Sequence, residues 1–232
     1  MRSGRLSELQ SLVPNEFYDA SFEDARGVEK SQIHNTGHEL RLSLRGVDFC
    51  GDDFDGFVPI PEHLDRAKPL FTLSYFDELC SCRLEWIMPL PVEVKGQALT
   101  WPLKATLTLG NPAPNRGIDS ETLALELTIP RGVLRSRGDS GWFEDELLDL
   151  ERQLRPEARI RSCITCAFSD YNPAGHGLFG SLACFREVKD EYVHTRTKRE
   201  VFAVWDRLTE YVQETYSCEE WQARIPDTGY RG

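Results

Sequence analysis

The 232-residue sequence has no apolar run that approaches the roughly 18 residues needed to span a membrane as a helix. Its first ten residues include basic side chains, but no apolar segment follows them, so the pattern of a secretory signal is missing. Internal repeats and low-complexity tracts are missing too. These features predict a cytoplasmic protein without a membrane partner.

The sequence is also short of positive charge. Lys and Arg number 27 against 38 Asp and Glu, which gives a net charge of −11. This balance opposes the phosphate contacts that supply most nucleic-acid affinity, so we expect no DNA or RNA partner. An acidic surface suits solubility, or a basic protein partner attracted by electrostatic steering. The oligomeric state cannot be inferred from these numbers.

Cysteine is sparse for a disulfide-rich protein. The chain has seven cysteines, an odd number, and its length allows a substantial apolar core without cross-links. Metal ligation or simple burial therefore explains the cysteines better than a disulfide framework does.

Residues 16–140 predict a β-rich body that follows a loose leader at 1–15. Apolar and polar residues alternate along 17–22, 39–45, 80–87, 99–109 and 122–129, which is the period of half-buried strands. Proline-rich residues 57–69 predict irregular chain with at most one helical turn. The acidic segment 51–56 partly matches a calcium loop, but Gly51 occupies its first ligand position, so we interpret it as a solvated turn. The fold prediction for the body is an antiparallel sandwich or a strongly curved sheet.

The pattern changes after Gly141, where residues 141–232 predict a helical, cysteine-bearing C-terminal part. Residues 142–154 carry apolar side chains at helical spacing, which predicts a helix that ends before Pro156. Residues 159–166 predict a strand. An apolar stripe along 198–216 predicts a helix of about five turns that ends just before Cys218. The whole chain is therefore predicted to be α+β, and its two parts could share one core.

Four cysteines predict a zinc site. Cys163 and Cys166 form a CxxC pair, Cys184 follows a glycine-rich segment, and Cys218 is the preferred fourth ligand, with His176 and His194 as substitutes. Four thiolates leave no position for water, so the predicted zinc is structural. Two alternatives remain open: Cys163 and Cys166 could be buried hydrophobes on a strand, or a redox pair that forms a disulfide.

The glycine-rich segment also holds a candidate binding loop, formed by Asp170, Tyr171 and His176. Loops that a rigid scaffold positions often carry binding groups. The alternative is that these side chains stabilise the loop through hydrogen bonds.

Residues 163–180 and 205–218 resemble an uncharacterised, mainly actinobacterial family of unknown function, domain of unknown function 6304. The acidic segment 51–56 and residues 228–232 are also similar to that family. The resemblance implies no activity and no catalytic residues. Because it links the CxxC stretch to the stretch that ends at Cys218, it favours Cys218 over His176 as the fourth ligand.

Together these patterns predict a soluble, non-enzymatic binding or interaction protein with a structural zinc site, of an immunity or regulatory type. The acidic balance, the closed ligand set and the lack of a complete catalytic set support it. The alternative is a zinc-dependent hydrolase in which Cys163, Cys166 and Cys184 hold the metal and Asp170 or His176 handles the activated water.

Overall fold

The computed structural model describes residues 15–175, 177 and 179–231. It confirms the α+β prediction, with antiparallel sheets and a few short helices. The predicted leader lies outside the described residues except for Asn15. Within the described residues, no helix is long and apolar enough to cross a membrane.

Eleven strands form within the β-rich body. They are β1 (Glu16–Asp24), β2 (Gly27–Asn35), β3 (Leu40–Leu44), β4 (Val47–Gly51), β5 (Val58–Pro59), β6 (Thr72–Leu73), β7 (Leu79–Cys80), β8 (Cys82–Val94), β9 (Gln97–Leu109), β10 (Glu121–Ile129) and β11 (Gly132–Arg135). The large sheet has the order β11-β10-β9-β8-β1-β2-β3-β4-β5, and β6 pairs with β7 separately. The prediction for the body was a sandwich or a strongly curved sheet, and the structure has one large open sheet.

Strict alternation explains why one face of this sheet is buried. In β10, Leu123, Leu125 and Leu127 are almost completely buried, and the residues between them are partly exposed. Trp86 in the middle of β8 and Phe22 in β1 belong to the same apolar core. A period of two places every second side chain on one face, so this pattern determines which face packs inward.

Strands β2 and β8 differ most from their predictions, and the short strands β5 and β11 were not predicted either. We did not predict β2, because most of its side chains are polar and face solvent. The alternation predicts separate strands over residues 80–87 and 92–94, but β8 is one strand that runs through Pro89 and Pro91. The Pro91 carbonyl accepts from Arg161 on the side away from β9, so the missing proline N–H groups also lie on that side. Proline is tolerated there because it removes no β8–β9 hydrogen bond.

The helices and remaining strands are short. They are α1 (Leu64–Ala67), α2 (Phe143–Leu154), β12 (Ala158–Ile160), β13 (Ser169–Asp170), β14 (Leu182–Cys184), α3 (Lys189–Tyr192), α4 (Lys198–Trp205) and β15 (Glu210–Val212). Strand β12 joins the edge of β8, and β13, β14 and β15 form a separate three-stranded sheet. The structure confirms the helix predicted over residues 142–154, and α1 lies in the segment 57–69, where at most one helical turn was predicted.

The predicted helix over 198–216 is wrong beyond Trp205. Helix α4 ends there, and the chain turns and enters β15. The Thr209 N–H donates to the Cys184 carbonyl at 2.7 Å, and Glu210–Val212 pairs with β14. Because this pairing satisfies the backbone within the C-terminal part, it overrides the helical apolar spacing. Cys218 therefore follows a strand and a turn, not a helix.

The two parts of the chain share one apolar core, which extends from Tyr18 to Val212. Phe54, in the acidic segment, lies at the junction. Its ring stacks on Trp86 of β8 at a centroid distance of 4.1 Å and packs 4.9 Å from Phe179. Phe143 at the start of α2 completes this cluster, 5.6 Å from Phe54. Aromatic packing thus joins the sheet, α2 and the glycine-rich segment.

Candidate metal centre

The CxxC pair lies on a single turn of 3₁₀ helix, Cys163–Thr165, that follows β12. The Cys166 N–H donates to the Cys163 carbonyl at 3.1 Å, which closes the turn. The Cys163 N–H donates to the Tyr216 carbonyl at 2.6 Å. Residues 159–166 therefore form a strand only as far as Ile160, and the hypothesis that both cysteines alternate along a strand loses its premise.

Cys218 lies between two stretches that are both hydrogen-bonded to the CxxC turn. Before it, the chain contacts the turn through Tyr216. After it, the Ala167 N–H donates to the Gln222 carbonyl at 2.8 Å, and the Arg224 N–H donates to the Thr165 carbonyl at 3.1 Å. The loop that carries Cys218 is thus tied to the CxxC turn at both ends.

Cys184 reaches the same region from β14. It pairs with Ser169 of β13 on one side and with Glu210 of β15 on the other. The Ser169 hydroxyl donates to the carbonyls of Cys163 and Cys166. Sheet pairing and one buried serine therefore bring Cys184 to the CxxC turn.

Burial and neighbouring thiols raise the pKa values of the three buried cysteines of this region. Burial raises the pKa of Cys163 well above its usual value, and the nearby Cys166, Cys184 and Cys218 raise it further. Burial also raises the pKa of Cys166 and of Cys184, and in both cases Cys218 adds to the effect. Ionisation of Cys163, Cys166 and Cys184 is therefore disfavoured unless a cation offsets their burial and their mutual repulsion.

Backbone N–H groups point at two of the sulfurs. Donors from Phe168 and Gln222 lower the pKa of Cys166, against the larger effect of burial. The Arg186 N–H acts in the same way on Cys184. Such donors stabilise thiolates and orient them, as outer-shell groups do around metal ligands.

In their present positions, the four thiols do not form a closed ligand set around a metal ion. Within residues 15–175, 177 and 179–231, no three His, Cys, Asp or Glu side chains are grouped closely enough to hold a metal ion. All seven cysteines are free, including Cys163 and Cys166. Three of the four predicted ligands, Cys163, Cys166 and Cys184, are buried, and Cys218 is partly exposed.

Two of the three predicted binding-loop residues are buried. Asp170 is fully inaccessible and Tyr171 is 3% exposed. The Tyr192 hydroxyl donates to Asp170 Oδ2 at 2.9 Å, and the Tyr171 hydroxyl donates to Glu214. Burial raises the pKa of Asp170 to about 6. These contacts favour the loop-stabilising alternative for Asp170 and Tyr171, and His176 lies outside the described residues.

The sequence did not reveal a group of buried carboxylates at the junction of the two parts. Asp53 is 9% exposed, so the interpretation of residues 51–56 as a solvated turn is wrong at this position. Asp53 Oδ2 accepts from the Phe179 N–H at 2.7 Å, and Glu214 Oε2 accepts from the Gly180 N–H at 2.9 Å. Both carboxylates therefore hold the glycine-rich segment in place.

Burial sets the ionisation of this group. It raises the pKa of Asp53 to about 7 and that of Glu214 to about 8, and nearby carboxylates add to both effects. The pKa of Glu121 is raised to about 7 for the same reasons. The narrow fit of the segment also requires Gly177, because a Cβ atom there would overlap the ring of Tyr171. The match of Asp53 to a calcium-loop position was the one signal that pointed to this region.

Comparison with known proteins places the chain in a family. A family model described as "Family of unknown function (DUF6304)" matches residues 16–169. The match covers well over half of the chain, includes Cys163 and Cys166, and ends before Cys184 and Cys218. Searches of curated proteins and of solved structures give no match. The chain therefore belongs to the family of unknown function DUF6304.

Proposed function

We propose that this protein is a soluble, cytoplasmic, non-enzymatic binding or interaction protein whose C-terminal part is stabilised by a structural zinc ion. The ligands are Cys163, Cys166, Cys184 and Cys218. The partner is a basic protein, and the role is of an immunity or regulatory type.

The observation that carries this proposal is the meeting of three distant stretches at one turn. Residues 163–166, β14 and the loop around Cys218 are separate stretches of the sequence. Backbone hydrogen bonds hold the turn to the Cys218 loop, and the pairing of β14 with β13 and the Ser169 hydroxyl connect β14 to the turn. Four of the seven cysteines of the chain lie on these three stretches, although their thiols are not grouped closely enough to hold an ion in their present positions. Zinc takes four thiolate ligands in sites of this kind.

The chemistry of the donors supports zinc. In a reducing compartment thiols stay free and are available to a metal. A dication would reverse the repulsion among the four sulfurs, because a coordinating thiol loses its proton. Zinc binding would require the four thiol side chains to close around the ion from their present positions.

Binding is favoured over hydrolysis by the contacts of Asp170. In the hydrolase alternative this carboxylate would serve a metal-bound water. Here one of its oxygens accepts from Tyr192 and the other forms an ion pair with Arg231, so both oxygens are engaged within the fold. The acidic balance of the chain favours a basic protein partner.

Metal analysis and X-ray absorption of the full chain, purified without chelator, test this proposal. We expect one zinc ion per chain, bound by four sulfurs at about 2.3 Å. Replacement of Cys163, Cys166, Cys184 or Cys218 by Ser should remove the zinc. Cys50→Ser is the matched control, because Cys50 is a free thiol of β4 in the body.

Each alternative predicts a different result. Three sulfurs and a water would contradict a structural site and favour the hydrolase. Zinc that stays stoichiometric in Cys218→Ser would identify a histidine as the fourth ligand. Absence of zinc from the purified protein would overturn the proposed site altogether.

A further inference from the structure

The side chain of Arg231 fills a pocket formed by three residues from two elements. Its guanidinium forms an ion pair with Glu144 in the first turn of α2 and a second ion pair with Asp170 Oδ1, 3.4 Å from Nε. The guanidinium carbon also lies over the ring of Tyr171, 4.9 Å from its centroid. Two carboxylates and an aromatic face are the groups that recognise a guanidinium.

Asp170 shows that the pocket requires a cation. The residue is fully buried, and Oδ1 has no hydrogen-bond partner among the described residues. Oδ2 accepts from Tyr192, so Oδ1 is left to face Arg231. The guanidinium of Arg224, the other nearby cation, donates to the carbonyls of Cys166 and Ser169. A buried carboxylate oxygen without a partner is costly, and the guanidinium of Arg231 relieves that cost.

A short turn delivers Arg231 to the pocket. Gly229 has a positive φ of 72°, and its N–H donates to the Val193 carbonyl at 3.0 Å. A Cβ atom at this position would lie 3.1 Å from the ring of Tyr192, so the turn fits closely against α3. The Arg231 side chain is 23% exposed and therefore reachable from solvent, whereas Asp170 beneath it is not.

We propose that Glu144, Asp170 and Tyr171 form a binding pocket for an arginine side chain, which Arg231 occupies in the isolated chain and an arginine of a basic protein partner occupies in a complex. This inference rests on the proposed binding function, and it names the partner group that is recognised. Arginine is favoured over lysine because a planar guanidinium can pair with carboxylates and stack on the ring at once.

The test uses the full chain with Arg231→Ala and a peptide of sequence acetyl-Gly-Arg-Gly-amide. We expect the variant to unfold at a lower temperature than the wild type and to regain part of the loss when the peptide is added. The lysine peptide should bind at least about tenfold more weakly, since it lacks the paired donors. The wild type should bind the arginine peptide more weakly than the variant, because Arg231 competes for the pocket.

Two further variants assign the binding to this pocket. Glu144→Gln in the Arg231→Ala background should weaken peptide binding about tenfold, as expected for one charge-assisted hydrogen bond. Arg161→Ala is the matched control, because Arg161 also stacks over an aromatic ring, that of Trp221, but bonds to the Ser217 hydroxyl. The arginine peptide should not stabilise that control.

The inference would be overturned if a folded Arg231→Ala protein does not bind the arginine peptide, or binds the lysine peptide equally well. Stronger binding of free arginine amide than of the peptide would also overturn it, because the pocket would then recognise the free amino acid. If Arg231→Ala fails to fold, Arg231→Gln keeps most of the volume and undergoes the same titration. Zinc content is measured separately in each variant, so failure of the pocket and failure of the zinc site are distinguishable.

Discussion

The β-rich body and the C-terminal part are stabilised in different ways. In the body, long hairpin-connected strands such as β8 and β9 pair along 13 residues each and bury one continuous apolar face. In the C-terminal part, β13, β14 and β15 are only two or three residues long. Strands this short are not independently stable in water. The C-terminal part therefore depends on hydrogen bonds between segments that are distant in sequence, on buried carboxylates and, in our proposal, on zinc.

This contrast implies different consequences for mutation. A defect in the body removes apolar burial that the whole domain shares. A defect in the C-terminal part removes one of a few polar contacts that hold short segments in place. We expect a defect in the body to lower global stability and a defect in the C-terminal part to increase mainly local opening.

Removal of zinc should have a large effect, and the most localised one. If the four cysteines bind zinc, chelation should speed hydrogen exchange of β13–β15 amides by about 100-fold, or about 3 kcal/mol. Amides of β8–β10 should change only a few-fold, since their pairing is independent of the metal. Exchange that rises equally in both regions would show that the two parts unfold as one unit.

Phe54→Ala should weaken the connection between the two parts. Phe54 packs against Trp86, Phe143 and Phe179, so its loss removes contacts with both parts at once. Loss of a buried phenylalanine typically lowers the free energy of unfolding by about 3–5 kcal/mol. Chemical denaturation measures this, with Phe76→Ala as the control because Phe76 is 60% exposed. Equal losses for the two variants would contradict the assigned role of Phe54.

The buried carboxylates predict a dependence on pH. Burial first, and then the charge of Asp55, raises the pKa of Asp53 from 3.8 to about 7. The folded state thus favours the protonated form of Asp53. The contribution of Asp53 to the free energy of unfolding should therefore fall as pH rises from about 4 to about 7. The change should not exceed about 4 kcal/mol, since one pKa unit corresponds to about 1.4 kcal/mol.

Asp53→Asn should flatten that part of the pH profile of unfolding free energy. Glu121 and Glu214 titrate in the same direction, so some dependence should remain. Asp65→Asn is the control, because the Asp65 side chain is fully exposed on α1. If Asp53→Asn and Asp65→Asn give the same profile, Asp53 does not titrate as its burial implies.

Thr197→Ala should have the smallest effect. The Thr197 hydroxyl accepts from the Glu200 N–H, and the Glu200 carboxylate accepts from the Thr197 N–H, which forms a capping box at the start of α4. Loss of such a cap costs about 1 kcal/mol. Circular dichroism during thermal unfolding should show a lower midpoint, while zinc content stays unchanged. A change in zinc content would link α4 to the metal centre more tightly than its contacts indicate.

Alternation along β10 and the spacing of Phe143, Leu147, Leu150 and Leu154 were enough to predict one strand and one helix correctly. Each element follows a period that its own side chains display, and each buries the face that the period marks. The same reasoning failed at residues 206–216, where the apolar spacing suits a helix but pairing with Cys184 and its neighbours produces β15. Local periodicity could not detect that partner strand.

The sequence by itself determined the antiparallel body, because strand alternation is visible along the chain, and its cysteine spacing led only to the prediction of a four-cysteine zinc site. Only the tertiary structure decided what the other polar groups do. It buried Asp53, Asp170 and Glu214 and placed Arg231 against Asp170. Burial and ion pairing depend on residues far apart in sequence, and no local pattern records which of them will meet.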